Sequence, residues 1–198
     1  MKNFNDLESL LKNKSIALVG NSNKVEGKNY SVDKHDVVIR MNRAWAMPDE
    51  MKQHVGKKLD MLAVSIEQEN IDFLVREYTT VLWMTPKHRD EFKQETTDKL
   101  FFYPLDWWQE LYDRFGANPS TGCMTFDVIR RYIGDGDVTL YGFDFFKSDN
   151  WYQKKRLSHK LMDALGVPRK RNPHSGNQEE EFMRTALPKA QFNIEELS

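Results

Sequence analysis

Short apolar runs that end in small polar turns recur along most of this chain, and stretches with helical spacing separate them. The strand candidates are Ser15–Val19, Val37–Met41, Leu59–Val64, Thr80–Met84, Leu100–Tyr103 and Val138–Phe143. Helical spacing marks residues 5–13, where Leu7, Leu10 and Leu11 share a face, and then stretches near 67–77, 88–98, 106–115 and 123–133. A chain that alternates in this way buries its apolar surface by building a mostly parallel sheet with helices on both faces. Pro48, Pro86, Pro104 and Pro119 fall between these elements, where proline is tolerated. The expected fold is therefore α/β, a Rossmann-like, mostly parallel twisted sheet flanked by helices. With 198 residues and no internal repeat, residues 1–198 are expected to form a single domain around one core.

In such a sheet, ligands sit beyond the C-terminal ends of the strands. Two of the strand candidates end in polar clusters. Val19 is followed by Gly20-Asn21-Ser22-Asn23, and the run His35-Asp36-Val37-Val38-Ile39 is followed by Arg40-Met41-Asn42-Arg43. Asn21 and Asn42 would meet at one sheet edge, and an amide carries both donors and acceptors. That suits the edge of a nucleobase or the hydroxyls of a ribose. A third cluster, Asn118-Pro119-Ser120-Thr121-Gly122, opens into a helical pattern. The first turn of a helix presents unpaired N–H groups and a positive dipole end, which suits a phosphate or a carboxylate. For an isolated Ser-Thr pair, plain N-capping is the simpler account.

These segments together resemble the motifs of the sialyltransferases of glycosyltransferase family 29. The stretch from Ile16 to Asp60 resembles the large sialylmotif, with His35-Asp36 placed just before Arg40-Met41-Asn42-Arg43 as its most specific part. Pro119-Ser120-Thr121-Gly122, with Tyr141-Gly142-Phe143 after it, resembles the small sialylmotif. His174, followed five residues later by Glu179, matches the very small motif. The resemblance implies a Rossmann-like fold of the glycosyltransferase A-type variant. It implies transfer of sialic acid from CMP-sialic acid to a glycan or glycolipid hydroxyl, with inversion and without a metal or other cofactor. Gly20, Asn21, Ser22 and Asn42 would hold the CMP moiety. Ser120, Thr121 and Gly122, with Tyr141 and Gly142, would hold its phosphate or the donor's carboxylate. His174 would take the acceptor's proton, as a neutral imidazole near pH 7 can. His35, Arg40 and Glu179 would support the site, Glu179 by orienting the imidazole or capping a helix.

The chain departs from the family's pattern at two places. The third motif's histidine, which contacts the departing phosphate, is absent from Asp149-Asn150-Trp151-Tyr152-Gln153-Lys154. Tyr152 is the expected substitute as a donor, with Lys154 or Lys155 supplying charge. The family's disulfide between the large and small motifs is also absent. Cys123 is the chain's single cysteine, so it has no intrachain partner and reads as a small packing residue. That cysteine count makes no use of an oxidising compartment. The first 14 residues carry acidic side chains and no apolar core of a signal, and no apolar run reaches the length of a membrane span. A cytoplasmic protein is the expectation.

Other readings compete with these. Asp135-Gly136-Asp137 has the form of a metal-holding Asp-x-Asp, but it precedes a strand, so it reads as a turn at the wrong end of the sheet. Residues 154–171 hold seven Lys or Arg against one Asp. With their flanks, about 147–173, they read as a basic lid over an acidic donor or as a peripheral contact with an anionic membrane. A last helix follows near 176–187. Trp45 or Trp151 could stack on an acceptor sugar, while at least one of Trp107 and Trp108 belongs in the core. The net charge of −1 gives no footprint for nucleic acid. CMP-Kdo would present the same nucleotide and carboxylate as CMP-sialic acid. A non-catalytic CMP-binding or glycan-binding module is the reading of another class. The sequence sets neither the acceptor nor the oligomeric state.

Overall fold

A computed structural model describes residues 4–152 and 174–197. The structure is built on one sheet of seven strands, all paired in parallel. The strands are β1 (Ser15–Val19), β2 (Val37–Met41), β3 (Met61–Val64), β4 (Val81–Trp83), β5 (Leu100–Phe102), β6 (Asp137–Tyr141) and β7 (Phe192–Ile194). Their order across the sheet is β5-β4-β3-β2-β1-β6-β7. The chain thus steps outward from β1 to β5, then crosses back to place β6 on the free side of β1. The crossing makes β1 and β6 neighbours at a topological switch point, in register from Ser15 beside Asp137 to Val19 beside Tyr141. An α/β sheet has its natural crevice beyond the strand ends at that point.

The strands are apolar on both faces because both faces are covered. Ile16, Leu18, Val37, Ile39, Met41, Met61, Ala63, Val138 and Leu140 pack on one side. The helices there are α1 (Phe4–Leu11), α5 (Leu105–Phe115), α6 (Thr121–Tyr132) and α7 (Gly176–Thr185). The alternate residues Ala17, Val19, Val38 and Tyr141 face the other side, beneath Met51 and Val55 of α2 (Asp49–Val55). Further along, Leu62, Val64, Val81 and Trp83 pack with Ile71, Leu74 and Val75 of α3 (Ile71–Glu77).

Helix α6 is buried along eight consecutive residues, from Gly122 to Ile129. Its buried Asp127 accepts from Tyr103 Oη at 2.7 Å, Arg130 Nε at 2.8 Å and Arg131 Nε at 2.9 Å. A buried carboxylate requires such company, and the network fixes the helix that carries one wall of the site.

Three elements differ from the sequence reading. The stretch 88–98 forms a 3-10 turn at Arg89–Glu91 and the one-turn helix α4 (Gln94–Thr97) instead of one helix. Phe92 and Lys93, both extended with ψ 146° and 149°, interrupt the run between the two pieces. Helix α2 and strand β7 were not foreseen. The basic stretch expected as a lid, with Lys154 and Lys155, lies for the most part outside the described residues. No helix among the described residues is long and apolar enough to cross a membrane.

Candidate active-site cleft

A cleft of about 930 Å³ opens beyond the C-terminal ends of the strands. Its volume lies within the range of small-molecule sites. The turn after β1 contributes Gly20, Asn21 and Ser22, the turn after β2 contributes Asn42, and that after β3 contributes Ser65. Ser120, Thr121 and Gly122 enter from the start of α6, and Gly142 to Phe146 from the end of β6. Tyr152, His174 and Glu179 line the cleft as well. The three clusters singled out in the sequence therefore share one cavity.

Glycine is required where β1 and β6 end. A Cβ on Gly20 would lie 2.3 Å from the carbonyl oxygen of Gly142, so the backbones can approach only without it. The approach lets Gly20 N donate to Tyr141 O at 2.7 Å and Ser22 N to Gly142 O at 3.3 Å. Gly142 itself has φ +68°, the left-handed region where a side chain is strained.

Both asparagines are wired into the scaffold. Asn21 Nδ2 donates to Met41 O at 3.2 Å, and Asn21 Oδ1 accepts from Trp151 Nε1 at 3.2 Å. Asn42, at φ +50°, adopts a conformation that Asn tolerates better than most residues. Its Oδ1 accepts from Ser65 N at 3.0 Å and its Nδ2 reaches Thr121 Oγ1 at 3.5 Å. These bonds orient the amides and leave them capacity for a ligand.

The start of α6 is occupied by the chain's own carboxylate. Glu179, buried on α7, accepts from Ser120 N at 2.8 Å and from Ser120 Oγ at 2.5 Å. Ser120 Oγ in turn accepts from Cys123 N at 3.1 Å as the helix cap. Burial pushes the Glu179 carboxyl up to about 7, against the two Ser120 bonds that lower it. Glu179 is thus held by Ser120 and not by the His174 ring. The Ser120 hydroxyl is already committed to Glu179, which leaves the backbone of Thr121 and Gly122 as the helix-start donors toward a ligand. Thr121 Oγ1 donates to Ser65 Oγ at 2.8 Å.

His174 Nδ1 lies 2.8 Å from Asn118 O, and the ring stacks on Phe146 with centroids 5.2 Å apart. A carbonyl only accepts, so Nδ1 carries the hydrogen and the neutral ring's lone pair is on Nε2. That is the tautomer a general base needs. Tyr152 lies beside Asn42, with the Arg43 guanidinium 5.9 Å from its ring centroid. Burial raises its phenol above the ordinary value, so it is a proton-bearing donor at neutral pH.

Residues 7–76 match the model of glycosyltransferase family 29 (sialyltransferase). Over that stretch the chain is similar to the family 29 sialyltransferases. Among curated proteins it is similar to CMP-N-acetylneuraminate-beta-galactosamide-alpha-2,3-sialyltransferase 1 of Mus musculus, with 24% identity over 187 residues, covering 81% of this chain and 52% of the mouse protein. The human protein of the same name is also 24% identical, covering 74% of this chain and 51% of the relative. The chain spans about half the length of the curated relatives it matches. Two solved structures share its fold. One is the monofunctional alpha-2,3-sialyltransferase Cst-I from Campylobacter jejuni, with TM-score 0.59, 17% identity and coverage of 91% of this chain and 74% of that one. The other is a mammalian sialyltransferase, with TM-score 0.58, 19% identity and coverage of 98% and 79%.

Against the family motifs, several expected site residues take other places. Tyr141 faces the opposite side of the sheet, packed on Tyr30 with centroids 5.2 Å apart, because its strand neighbour Leu140 takes the cleft side. Its hydroxyl pairs with His35 Nε2 at 2.9 Å, so His35 also lies away from the cleft. Arg40 is buried on that same side and ties the end of α2, donating to Val55 O at 2.7 Å and Lys58 O at 2.8 Å. Both residues hold the fold and do not line the cleft. Trp45 and Trp151 do not line it either. Trp45 packs on Phe73, and Trp151 is pinned by Asn21. Asp135-Gly136 form the turn into β6, whose first residue is Asp137, and Asp135 N donates to Asn13 Oδ1 at 2.9 Å at the far end of the sheet from the cleft. Cys123 is fully buried, and burial pushes its thiol up, away from thiolate chemistry.

The sequence reading missed Ser65, Asp144, Ser148, Asn150 and Trp108. Asp144 and Ser148 bond Ser22 Oγ at 3.2 Å and 2.9 Å and so set the first turn's hydroxyl. A signal for Ser65 was available, since it follows a strand candidate as Asn21 and Asn42 do.

Proposed function

We propose that this chain is a glycosyltransferase that moves sialic acid from CMP-sialic acid to a glycan hydroxyl, with inversion and without a metal. The observation that carries the reading is the convergence of the large, small and very small motif segments on one cleft at the switch point. Asn21 and Asn42 hold the nucleotide through pre-oriented amides, which lowers the entropy cost of the reactive complex. The Thr121 and Gly122 N–H groups meet the phosphate or the donor carboxylate. As the glycosidic bond breaks, charge grows on the phosphate, and donors fixed in advance favour that state over the ground state. Tyr152 takes the place of the missing third-motif histidine as the donor to that phosphate. His174 Nε2 takes the proton of the attacking acceptor hydroxyl, with Asn118 O holding the ring's tautomer.

The acceptor is a glycan or glycolipid. On the single cysteine, the working compartment is a reducing one such as the cytoplasm. The deciding experiment incubates CMP-sialic acid and CMP-Kdo in parallel, with EDTA, using the wild type and His174→Ala. CMP release from CMP-sialic acid that survives EDTA and falls at least a thousandfold in the variant supports the reading. Release only from CMP-Kdo moves the donor to that sugar. CMP binding with no release from either donor, across a panel of acceptors, leaves a nucleotide-binding module in place of an enzyme.

A further inference from the structure

Helix α5 carries two adjacent tryptophans with different fates. Adjacent residues on a helix point about 100° apart. Trp107 turns inward, under the Arg131 guanidinium at 4.0 Å and edge-on to Tyr103 at 6.0 Å. Trp108 turns to the cleft and forms part of its wall. One helical turn on, the Tyr112 ring lies nearly parallel to it, with centroids 5.2 Å apart and planes 16° apart. Leu105 lies one turn before Trp108 on the same face. Tyr112 is 38% exposed and Leu105 55% exposed, in a chain that buries most of its large apolar side chains. The result is a stacked aromatic strip, in which each ring covers part of one face of the other and the remaining faces are left to the cleft and to solvent.

We propose that the Trp108–Tyr112 strip is the cleft's acceptor platform, binding by ring stacking a sugar of the acceptor glycan adjacent to the one that carries the reacting hydroxyl. The inference rests on the glycosyl transfer proposed above. Three features favour a glycan as the occupant. The apolar C–H face of a pyranose stacks on an aromatic ring, and the indole N–H and phenol O–H give a polar edge for its hydroxyls. The two rings are oriented by each other, so little side-chain freedom remains to be lost on binding. The strip is continuous with a cleft whose donor-facing amides and hydroxyls lie in the turns after β1 and β2 and at the start of α6, which leaves the α5 wall for the other substrate. Thr85 and Lys87, which also line this cleft, supply hydrogen-bonding groups for the sugar's outer hydroxyls.

The test compares KM for Gal-β1,3-GalNAc and for methyl β-galactoside in the wild type, Tyr112→Ala, Trp108→Ala and Trp108→Phe. Tyr112 is partly exposed, so its alanine variant keeps the fold. The expected result is a lower KM for the disaccharide in the wild type, and a fall of about tenfold in that advantage in each alanine variant. Trp108→Phe should recover part of it. An unchanged ratio in both alanine variants overturns the proposal, as does an equal rise of both KM values. If no acceptor is used, saturation-transfer NMR with the disaccharide replaces the kinetics, and CMP binding is measured in the same samples. Loss of the disaccharide signal in Tyr112→Ala supports the platform, and an unaltered signal overturns it. Absence of CMP binding with the glycan signal intact would sink the transfer reading and leave the platform standing. A Tyr112→Ala effect on self-association alone, with no effect on glycan binding, would assign the strip to a second copy of the chain and overturn the proposal.

Discussion

Glu179 shows how one side chain fixes a wall of the cleft by holding Ser120 at the start of α6. Its carboxyl sits where a helix start attracts an anion, yet burial costs the charged form more than the two Ser120 bonds return. The folded chain therefore holds the proton more tightly than the unfolded chain, at about 7 against 4.5. The stability tied to this group is complete below 4.5 and lost as pH rises through about 7. Glu179→Gln mimics the protonated form at every pH. It should melt with the wild type near pH 5 and above it at pH 8, by on the order of 2–3 kcal/mol. Thermal unfolding at the two pH values measures this, and a less stable variant at pH 8 would refute it. Gly20 makes a simpler case. Gly20→Ala drives a Cβ to 2.3 Å from a backbone oxygen, so the ends of β1 and β6 must part. The expected cost is about 1–3 kcal/mol in denaturant unfolding, with weaker CMP binding.

Whole elements were legible where their apolar pattern was long enough to be periodic. The first six strands and helices α1, α3, α5, α6 and α7 follow from alternation and spacing. Helix α2 did not, because its seven residues, Asp49–Val55, carry only Met51 and Val55 as buried anchors. Strand β7 has three residues, too few for a period, and exists because β6 offers it an open edge. The site was legible at the same level. Turns that follow strands placed Gly20, Asn21, Ser22 and Asn42 at the cleft, and the helix start after Pro119 placed Thr121 there. Tyr141 was misplaced because strand ends alternate faces, so the last residue of β6 points away while Gly142 points in. Helix α7 tests the coupling between packing and site. Phe182 packs edge-on against Phe115 and Phe126, with centroids 5.7 Å and 6.0 Å away, beneath Arg114 and Arg130. Phe182→Ala should cost about 3–5 kcal/mol. It should also loosen the start of α7, which carries Glu179 and follows His174, so CMP release should fall by more than CMP affinity. Equal loss in both would place the effect in global unfolding instead.

For the molecule as a whole, the order of the strands matters more than any one motif. Placing β6 beside β1 brings residues from opposite ends of the chain, Asn21 and His174, into one cavity. A ligand that fills the cavity must then hold those regions together. It binds the folded chain and not the unfolded one, so it stabilises by mass action. CMP at a hundred times its dissociation constant should add roughly 2.7 kcal/mol and raise the midpoint of unfolding by several degrees. EDTA should leave that shift unchanged, since no step in nucleotide binding is assigned to a metal. If, as proposed, the imidazole serves the acceptor's proton and the turns after β1 and β2 hold the nucleotide, His174→Ala should keep most of the shift while abolishing CMP release from the donor. Asn42→Ala should do the reverse of this, losing the shift first. Differential scanning fluorimetry of the three proteins with CMP, with and without EDTA, separates these outcomes. Loss of the shift in His174→Ala, with Asn42→Ala unaffected, would reverse the assignment of the two ends of the cleft.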